Sequence, residues 1–453
     1  MPGDDQLTLS GGGTTTVATD AMLTDAQALE FIQFGLTAML GDLRIAAAAG
    51  EPLEGLERAA IAVLGARDHV VELVSAVTWS MQRYSEADAA AEQVAVDAGA
   101  VLGPLGLPLA GLALPWVVRE ATASDEPIGP DDVTMPDDVT GVLCDPTTVS
   151  TIRIAVSSVD EATLGFGGLP ALTEVALAAA GVTGVSATAY LLAAYGANAG
   201  LFAETPVAVS RTQTSTTPPS TGLTSGFDAR LNKIPLPETA PGGAQIRIDT
   251  ILSSTAPPRF EVYIGGTVDF RALPAEDAFD LTSNVTGVAG LPAGSLRAVQ
   301  QAMDQAGITA SSQVTFTGYS QGGMVAAVLA ASGDYNVQGV VTVAAPAGNV
   351  QLPAGVPAVI VEHTDDFIPA LGGVQTNTEA LVVQRRAFDS VSELPAGLAA
   401  PAHRMPYYRE TAVIMDLGTS EQLVDARNQL DAFSAGADAV VSSYYYASRS
   451  PSP

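Results

Sequence analysis

Apolar side chains recur every three or four positions through the first hundred residues. Thr24 and Gln27 have the spacing of a capping box, the signal of a helix start. An apolar stripe follows at Leu29, Ile32, Leu36, Met39 and Leu43. A second stripe begins after Gly50 and Pro52, at Leu56, Ala60, Val63, Val70, Leu73, Val77, Met81 and Tyr84. The pattern predicts an antiparallel helical hairpin over about residues 24–97.

The composition changes in the middle of the chain. Residues 124–138 are acidic and rich in Pro and Gly, and the Ala-rich sequence that follows predicts a second helical region at about 148–203. Residues 206–226 are dominated by Ser, Thr, Pro and Gly, which is typical of an exposed linker. We therefore expect an all-α N-terminal domain over residues 1–205, then a linker, and a second domain over residues 227–453.

The second domain has the alternation of apolar and polar residues that β-strands show. Gln245–Leu252 and Arg259–Ile264 predict a β-hairpin. Three further apolar runs predict strands, at Gln313–Thr317, Val337–Ala344 and Val356–Glu362. Helical stripes follow Ser295, Gln321 and Tyr407. Strands that alternate with helices predict an α/β fold with a doubly wound, mainly parallel sheet.

The bulk composition excludes several classes of partner and site. The chain has 453 residues, 47% of them hydrophobic, enough for at least two packed cores. Its 19 basic and 49 acidic residues give a net charge of −30, so we expect no nucleic-acid partner. Cys144 is the single cysteine, which excludes an internal disulfide and a multi-cysteine metal site. We expect it to be a buried apolar residue rather than a nucleophile.

Two uncharged stretches, 98–118 and 175–203, are each long enough to cross a bilayer. Prolines break the first, and the second is mostly Ala, Gly and Thr without a basic flank. We therefore expect burial in a helical domain and no stable transmembrane anchor. The first 24 residues lack the basic and apolar regions of a secretory signal. A cytoplasmic location is the default expectation, with export by another route as the alternative.

A G-x-S-x-G motif, Gly318-Tyr-Ser-Gln-Gly322, lies between an expected strand and an expected helix. Glycines suit a sharp strand-to-helix turn because neighbouring backbone comes too close for side chains. Such a turn lifts the Ser320 hydroxyl clear of the sheet at a helix N-terminus. This context favours Ser320 as a catalytic nucleophile over a serine in an ordinary turn.

A serine nucleophile needs a base within hydrogen-bond reach, and histidine is the usual one near neutral pH. The chain has three histidines. His69 lies off the apolar stripe of the expected hairpin, where a solvated residue is expected. His363 ends an expected strand, and His403 lies in a turn farther along. Enzymes with a serine in this kind of strand-to-helix turn use a catalytic triad whose chain order is serine, acid, histidine. This order favours His403, with His363 as the alternative.

The acid of such a triad is expected between the serine and the histidine, where a strand ends. Glu362, Asp365 and Asp366 compete for this role. Glu362 is still inside the expected strand, whereas both aspartates lie in the turn. Asp366-Phe-Ile-Pro has the form acid-x-aliphatic-Pro that is common after this strand in hydrolases, so we choose Asp366, with Asp365 second. Two aspartates that only cap a turn are the structural alternative.

Acyl transfer also needs donors for the developing oxyanion. The first expected donor is the backbone N–H of Gln321, directly after the serine. The second is expected at Gly266 and Thr267, where an expected strand breaks at glycines and the Thr267 hydroxyl adds a donor. A plain structural turn is an equal alternative there. Chemistry of this kind uses neither a metal nor a cofactor, and we expect none.

At these residues the chain resembles the α/β-hydrolase superfamily, and in particular its lipase- and cutinase-like members, because Gly318-Tyr-Ser-Gln-Gly-Gly matches the cutinase elbow. The resemblance covers about residues 240–420 and implies Ser320, Asp366 and His403 as the triad. It implies a serine hydrolase that cleaves carboxylic esters, lipid-like or short, through an acyl-serine intermediate. An acyltransferase with the same triad is the alternative. The chain lacks the disulfides of cutinases and has Gln321 where lipases usually have Leu.

The expected hairpin also resembles the helical hairpins that type VII secretion systems of actinobacteria export. Tyr84-Ser-Glu-Ala-Asp88 fits their Tyr-x-x-x-Asp signal, although Trp79 is not in a Trp-x-Gly turn. This resemblance implies a lipase-type effector that is exported. A core tyrosine with a solvated aspartate one turn later is the favoured interpretation.

Overall fold

The computed structural model describes residues 7–11, 128–129, 132–157, 201–219, 225–271 and 275–450, with scattered helical positions between 36 and 67 and between 186 and 193. The chain divides into two compact units, one of residues 13–96 and the other of residues 1–12 with 97–453. The second unit contains the sheet and every residue expected to do chemistry. No boundary between units falls at residues 206–226, where the sequence predicted an interdomain linker.

Among the described residues, one mixed sheet of nine strands forms the centre of the larger unit. In chain order the strands are β1 (Thr8–Gly11), β2 (Val207–Thr217), β3 (Ile246–Leu252), β4 (Arg259–Ile264), β5 (Gln313–Tyr319), β6 (Asn336–Val343), β7 (Ala358–His363), β8 (Leu381–Arg385) and β9 (Ala439–Arg449). Their order across the sheet is β1-β8-β7-β6-β5-β4-β3-β9-β2. β4 to β8 are parallel, whereas β1, β3, β9 and β2 join antiparallel. The centre of the sheet is parallel, as expected, but the strands on both sides of it are antiparallel. The expectation of a mainly parallel sheet is therefore wrong for these outer strands.

Helices lie between these strands. Those of the described residues are α1 (Asp137–Leu143), α2 (Pro146–Ser157), α3 (Phe227–Leu231), α4 (Leu281–Val288), α5 (Gly294–Ala306), α6 (Gln321–Ala331), α7 (Phe367–Ala370), α8 (Met405–Leu417) and α9 (Glu421–Ala432). Short 3-10 turns lie at Pro241–Gly243, Val391–Glu393 and Pro401–His403.

Helices cover both faces of the sheet because successive strand residues point to opposite sides. Along β7, Ile360 packs into a core with α5 and α6, while Val359 and Val361 pack into a second core with α8 and α9. A strand that is buried on both faces has a continuous apolar run, as residues 359–361 of β7 do. Two cores around one sheet place the larger unit in the α/β class.

Several expected elements are confirmed close to their expected ends. The hairpin of β3 and β4 is antiparallel, with Ile248 opposite Val262. The helix α5 ends at Gly307, whose φ of 82° is the left-handed conformation that closes many helices. Its start differs, because Ala293 rather than Ser295 is the N-cap. The expected C-terminal helices are α8 and α9, and an unexpected strand, β9, follows them.

Residues 207–217 form β2, not the exposed linker that the sequence predicted. β2 pairs with β9 from Val207 opposite Arg449 to Thr217 opposite Val440. The error has a physical reason. Threonine is β-branched and favours strands, and an edge strand keeps many side chains in water, so a Ser/Thr-rich segment fits there without a full apolar stripe.

Little of the expected N-terminal helical domain falls within the described residues. The described positions between 36 and 67 are helical, but most of the expected hairpin, with His69, Tyr84 and Asp88, lies outside the described part. The helix α2 agrees with the start of the second expected helical region. β1 was not expected and pairs with β8. No helix among the described residues is long and apolar enough to span a membrane.

A buried ion cluster ties the start of β2 to the end of β9. Arg449 is 5% exposed, and it donates to Asp280 from Nε at 2.7 Å and to Glu204 from Nη1 at 2.6 Å. Glu204 also accepts from Arg297 at 2.8 Å. A buried charge that loses a partner is strongly destabilising. Glu204, just before β2, is therefore part of the folded core of the larger unit.

We expect a chain that starts at Gly226 to fold poorly, because it lacks β1, β2 and Glu204. The loss of two sheet edges and of one partner of Arg449 should cost several kcal/mol and lower the unfolding midpoint by about 10 °C or more. Removal of residues 13–96 alone is the matched control, since it deletes only the smaller unit. Calorimetry of both shortened chains decides, and equal midpoints would contradict this role of β2 and Glu204.

Candidate active site

Ser320 lies in a tight turn between β5 and α6. Its φ of 54° and ψ of −122° fall outside the conformations that L-residues usually adopt. The Ser320 N–H donates to the Val343 carbonyl at 2.8 Å, and the Ser320 carbonyl accepts from Gly323 and Met324. These bonds hold the turn between the end of β6 and the first turn of α6.

Two glycines of the motif allow backbone segments to approach each other. A Cβ on Gly318 would lie 2.1 Å from the carbonyl oxygen of Gly322, and a Cβ on Gly322 would lie 2.3 Å from that of Gly265. No side chain fits at either distance. The glycines therefore let α6 start directly against β4 and β5, which is the reason for the G-x-S-x-G spacing.

His403 and Asp366 continue from the Ser320 hydroxyl in a chain of two hydrogen bonds. Nε2 of His403 is 2.8 Å from Oγ of Ser320, and Nδ1 is 2.7 Å from Oδ2 of Asp366. In a neutral imidazole with this arrangement, Nδ1–H donates to the carboxylate and Nε2 accepts the serine proton. Ser320 is 6% exposed and the His403 side chain 14%, so water is largely kept from these bonds.

The carboxylate of Asp366 is held on both oxygens. Oδ1 accepts from the Ile368 N–H at 3.0 Å, because Asp366 is the N-cap of the short helix α7. Oδ2 accepts from the Tyr408 hydroxyl at 2.8 Å as well as from His403. The sequence pattern did not mark Tyr408, which lies five positions after His403 and reaches Asp366 only through the fold.

The two competing carboxylates have other partners. Asp365 turns away and accepts from the backbone N–H groups of Ala387 and Phe388, both at 2.9 Å. Burial raises its pKa above the usual value. Glu362 pairs with Arg153 at 2.8 Å. Of the three carboxylates, the structure thus brings Asp366 to His403.

His363 is fully buried beneath the site, and its contacts are not with Ser320. Its Nδ1 is 2.8 Å from the Ala402 carbonyl, and its Nε2 is 2.8 Å from the Thr411 hydroxyl. The ring stacks on Tyr408 with centroids 3.8 Å apart. Burial lowers the pKa of His363 to about 4, so this imidazole is neutral at pH 7.

Tyr319, the residue before the serine, holds the turn that carries His403. Its hydroxyl donates to the His403 carbonyl at 2.6 Å. The two rings stack with centroids 5.4 Å apart. Both contacts leave the imidazole nitrogens to Ser320 and Asp366. The sequence offered no signal for this role beyond an aromatic residue inside the motif.

Two of the expected oxyanion residues, Gly266 and Gln321, lie beside the serine. Gly266 packs so closely that a Cβ there would be 3.3 Å from the Ser320 Cβ. The Thr267 hydroxyl accepts from Nδ2 of Asn284 at 2.8 Å, so its own proton can point to another acceptor. Asn284 lies on α4, and nothing in the sequence pattern singled it out.

A hydrogen bond fixes the side chain of Gln321, whose backbone N–H is the expected oxyanion donor. It is the first residue of α6, and the first N–H groups of a helix have no acceptor within the helix. Its Nε2 donates to the Asp280 carbonyl at 2.9 Å. Asp280 is bonded to Arg449 and also caps α4 through the Ser283 N–H. The buried ion cluster thereby braces both Gln321 and the helix that carries Asn284.

Residues 128–157, which the sequence predicted as a spacer and part of a helical region, join the loops around the site. The backbone N–H of Phe270, in the loop after β4, donates to the Ile128 carbonyl. The Thr140 hydroxyl donates to the Leu398 carbonyl, in the loop before His403. Arg153 donates to Glu362, near the end of β7. This segment is therefore part of the architecture of the site.

Cys144 is 4% exposed, in line with the expectation of a buried residue. Burial, with the negative charges of Asp365 and Asp366 nearby, raises the pKa of its thiol to about 12. The thiolate is the nucleophilic form of cysteine. Cys144 therefore has little nucleophilic character at neutral pH.

Comparison of the chain with protein-family models, curated proteins and solved structures found no match.

We expect the free energy of unfolding of His363→Gln to fall less steeply with decreasing pH than that of the wild type. Because the native pKa of His363 is about 4 and that of an unfolded histidine is about 6.5, the unfolded chain takes up the proton first as the pH falls. Wild-type protein should therefore lose stability relative to the variant between about pH 6.5 and 4, by up to about 1.4 kcal/mol per pH unit. Urea unfolding of both proteins across this range measures the difference. A constant difference would contradict the assignment.

Proposed function

We propose that the protein is a serine hydrolase of the α/β-hydrolase type that cleaves carboxylic esters through an acyl-serine intermediate. The observation that carries the proposal is the continuous array of Ser320 Oγ, the His403 imidazole and Asp366 Oδ2, with steps of 2.8 and 2.7 Å. A hydroxyl, an imidazole and a carboxylate in this order can act as nucleophile, general base and orienting acid.

The places of these groups in the sheet support the proposed fold family. Ser320 follows β5, Asp366 follows β7, and His403 lies between β8 and α8. The strands β5 to β8 are parallel, so their carboxyl ends lie along one edge. The order Ser, acid, His and a serine between strand and helix are typical of α/β-hydrolases. The elbow sequence is similar to those of cutinases and lipases.

In the first half of the proposed reaction, Nε2 of His403 takes the Ser320 proton while Oγ attacks the ester carbonyl carbon. The imidazolium keeps its bond to Asp366, which holds the ring and stabilises the new positive charge. His403 then gives the proton to the leaving alcohol, and an acyl-serine remains. In the second half, water replaces the alcohol, His403 accepts its proton, and the acid leaves as Ser320 regains a proton.

The carbonyl oxygen becomes anionic in both halves of this reaction. We assign two donors to it, the backbone N–H of Gln321 and the hydroxyl of Thr267, with the backbone of Gly266 alongside. Asn284 donates to the Thr267 oxygen at 2.8 Å, which directs the Thr267 proton elsewhere. Donors that are fixed before charge develops need no reorganisation during the reaction.

We expect Ser320→Ala to abolish ester hydrolysis. Removal of a triad nucleophile lowers kcat by about five to six powers of ten, while KM should change little because the substitution removes only one hydroxyl. The assay uses p-nitrophenyl esters from acetate to palmitate, which also reveals the acyl preference. Ser332→Ala is the matched control, since Ser332 lies at the opposite end of α6. A Ser320→Ala protein with even a tenth of the wild-type kcat would refute the proposal.

We expect Asp366→Asn and Asp365→Asn to differ in kind. Asp366→Asn should lower kcat by about 10⁴-fold, because an amide cannot hold the correct tautomer of His403. Asp365→Asn should lower kcat by less than about tenfold and instead cost about 1–3 kcal/mol of stability, since it weakens two buried backbone bonds. Steady-state kinetics with urea unfolding separates the two effects. A larger kcat loss in Asp365→Asn would exchange the assignments.

A further inference from the structure

A buried pair of aromatic rings lies directly beneath Asp366. Tyr408 has no exposed surface, and its hydroxyl donates to Oδ2 of Asp366 at 2.8 Å. The same hydroxyl accepts from the His363 N–H at 3.0 Å. The His363 and Tyr408 rings stack 3.8 Å apart and 11° from parallel. The position of the phenol oxygen is therefore fixed by one bond to backbone, one bond to Asp366 and one flat contact.

His363 is itself fixed on both sides of its ring. Nδ1 bonds to the Ala402 carbonyl, one residue before His403, and Nε2 bonds to Thr411 on α8. These bonds join the strand that precedes Asp366 to the turn that carries His403 and to the helix that carries Tyr408. Tyr408 and His363 thus form a second connection between Asp366 and the turn of His403, in addition to the direct hydrogen bond between Asp366 and His403.

We propose that Tyr408 is a positioning residue of the active site, which holds Asp366 and tunes its hydrogen bond to His403, and that His363 keeps Tyr408 in place. This inference rests on the proposed function for its catalytic consequence. The effect of Tyr408 on the hydrogen bond between Asp366 and His403 depends only on these contacts and can be measured without a substrate.

Oδ2 of Asp366 accepts from two donors, Nδ1 of His403 and the Tyr408 hydroxyl. A second donor draws negative charge away from the first bond and weakens its preference for the imidazolium. It also prevents rotation of the carboxylate. Burial, with the charge of Asp366 next to it, raises the pKa of Tyr408 well above 10, so the phenol remains a donor at any working pH.

Packing alone does not require this hydroxyl. A phenylalanine at position 408 keeps the ring that stacks on His363 and fills the same core with Met415 and Ala412. It cannot donate to Asp366, and it cannot accept from the backbone N–H of His363. Tyr407 provides the comparison on the same helix. Its ring packs edge-on against Phe388, away from the array.

The other titratable groups around the pair come from several elements. Those on β7 and the turn after it are Glu362, Asp365 and Asp366. The others are Arg385 on β8, Glu410 paired with Arg385 on α8, Tyr319 on β5, Arg153 paired with Glu362 on α2, and Cys144 at the end of α1. A change from Tyr to Phe at position 408 alters the charge of none of them.

The test is the titration of His403 by NMR in protein labelled with ¹³C and ¹⁵N at histidine. With three histidines in the chain, spectra of His69→Gln and His363→Gln identify the His403 signal. Tyr408→Phe should move the midpoint of the His403 titration upward by about half a pH unit or more, because Oδ2 then attracts the imidazolium more strongly. Tyr407→Phe should leave it in place. An unchanged midpoint in folded Tyr408→Phe would overturn the proposal.

A second variant decides the matter if Tyr408→Phe does not fold. Site-specific 3-fluorotyrosine at position 408 keeps the hydroxyl and makes it a stronger donor, so the His403 midpoint should move downward. A midpoint equal to that of the wild type, or a move upward, would contradict the proposal. The opposite shifts of the two variants are a result that a merely structural role of Tyr408 does not produce.

Kinetics then tests the catalytic part. Tyr408→Phe should lower kcat about tenfold or more with little change in KM, since an Asp366 carboxylate that holds the imidazolium more tightly makes His403 a weaker acid toward the leaving alcohol. In an Asp366→Asn background the same change should have little further effect on kcat, because Tyr408 acts through Asp366. Equal effects in both backgrounds would overturn positioning through Asp366. If the wild type cleaves no ester but the NMR shifts appear, the proposed function fails and the coupling stands.

Discussion

The backbone turn at Ser320 is the constraint on which the rest of the site depends. A residue held at φ 54° and ψ −122° costs about 1–3 kcal/mol, so the surrounding structure must hold it there. β5 lies in the parallel centre of the sheet, and α6 is buried along most of its length. Both elements can meet only because Gly318 and Gly322 let backbone touch backbone. This turn puts a positive φ on the residue that we propose as the nucleophile, and Phe202 and Ala344 are the other described non-glycine residues with a positive φ.

The groups around this turn reach it from distant parts of the chain. Asp366 is fixed by α7 and Tyr408, His403 by Tyr319, and Thr267 by Asn284. Residues 128–157 join the loops that carry them, and the cluster of Glu204, Arg449 and Asp280 braces α4 and Gln321. Each catalytic side chain in the proposal is therefore held by a neighbour that does not itself react.

The parts of this picture that were predictable are those with a local signature. Alternating or continuous apolar runs indicated β3 to β7, and the elbow motif singled out Ser320 because its spacing reflects local sterics. Tyr408 and Asn284 carry no such signature, since each acts through a side-chain bond across the fold. β2 was mistaken for a linker because edge strands tolerate Ser and Thr. β1 pairs with residues more than 350 positions away, which no periodicity shows.

The most direct test of the central claim is covalent labelling of the full-length protein with a fluorophosphonate, followed by peptide mass spectrometry. Such a probe reacts with a serine whose hydroxyl is activated by a neighbouring base and whose adduct is stabilised by oxyanion donors. We expect one modified residue, Ser320, and no labelling at the same probe concentration in His403→Gln. An adduct on another serine, or equal labelling of Ser320 without His403, would contradict the assignment of Ser320 as the nucleophile.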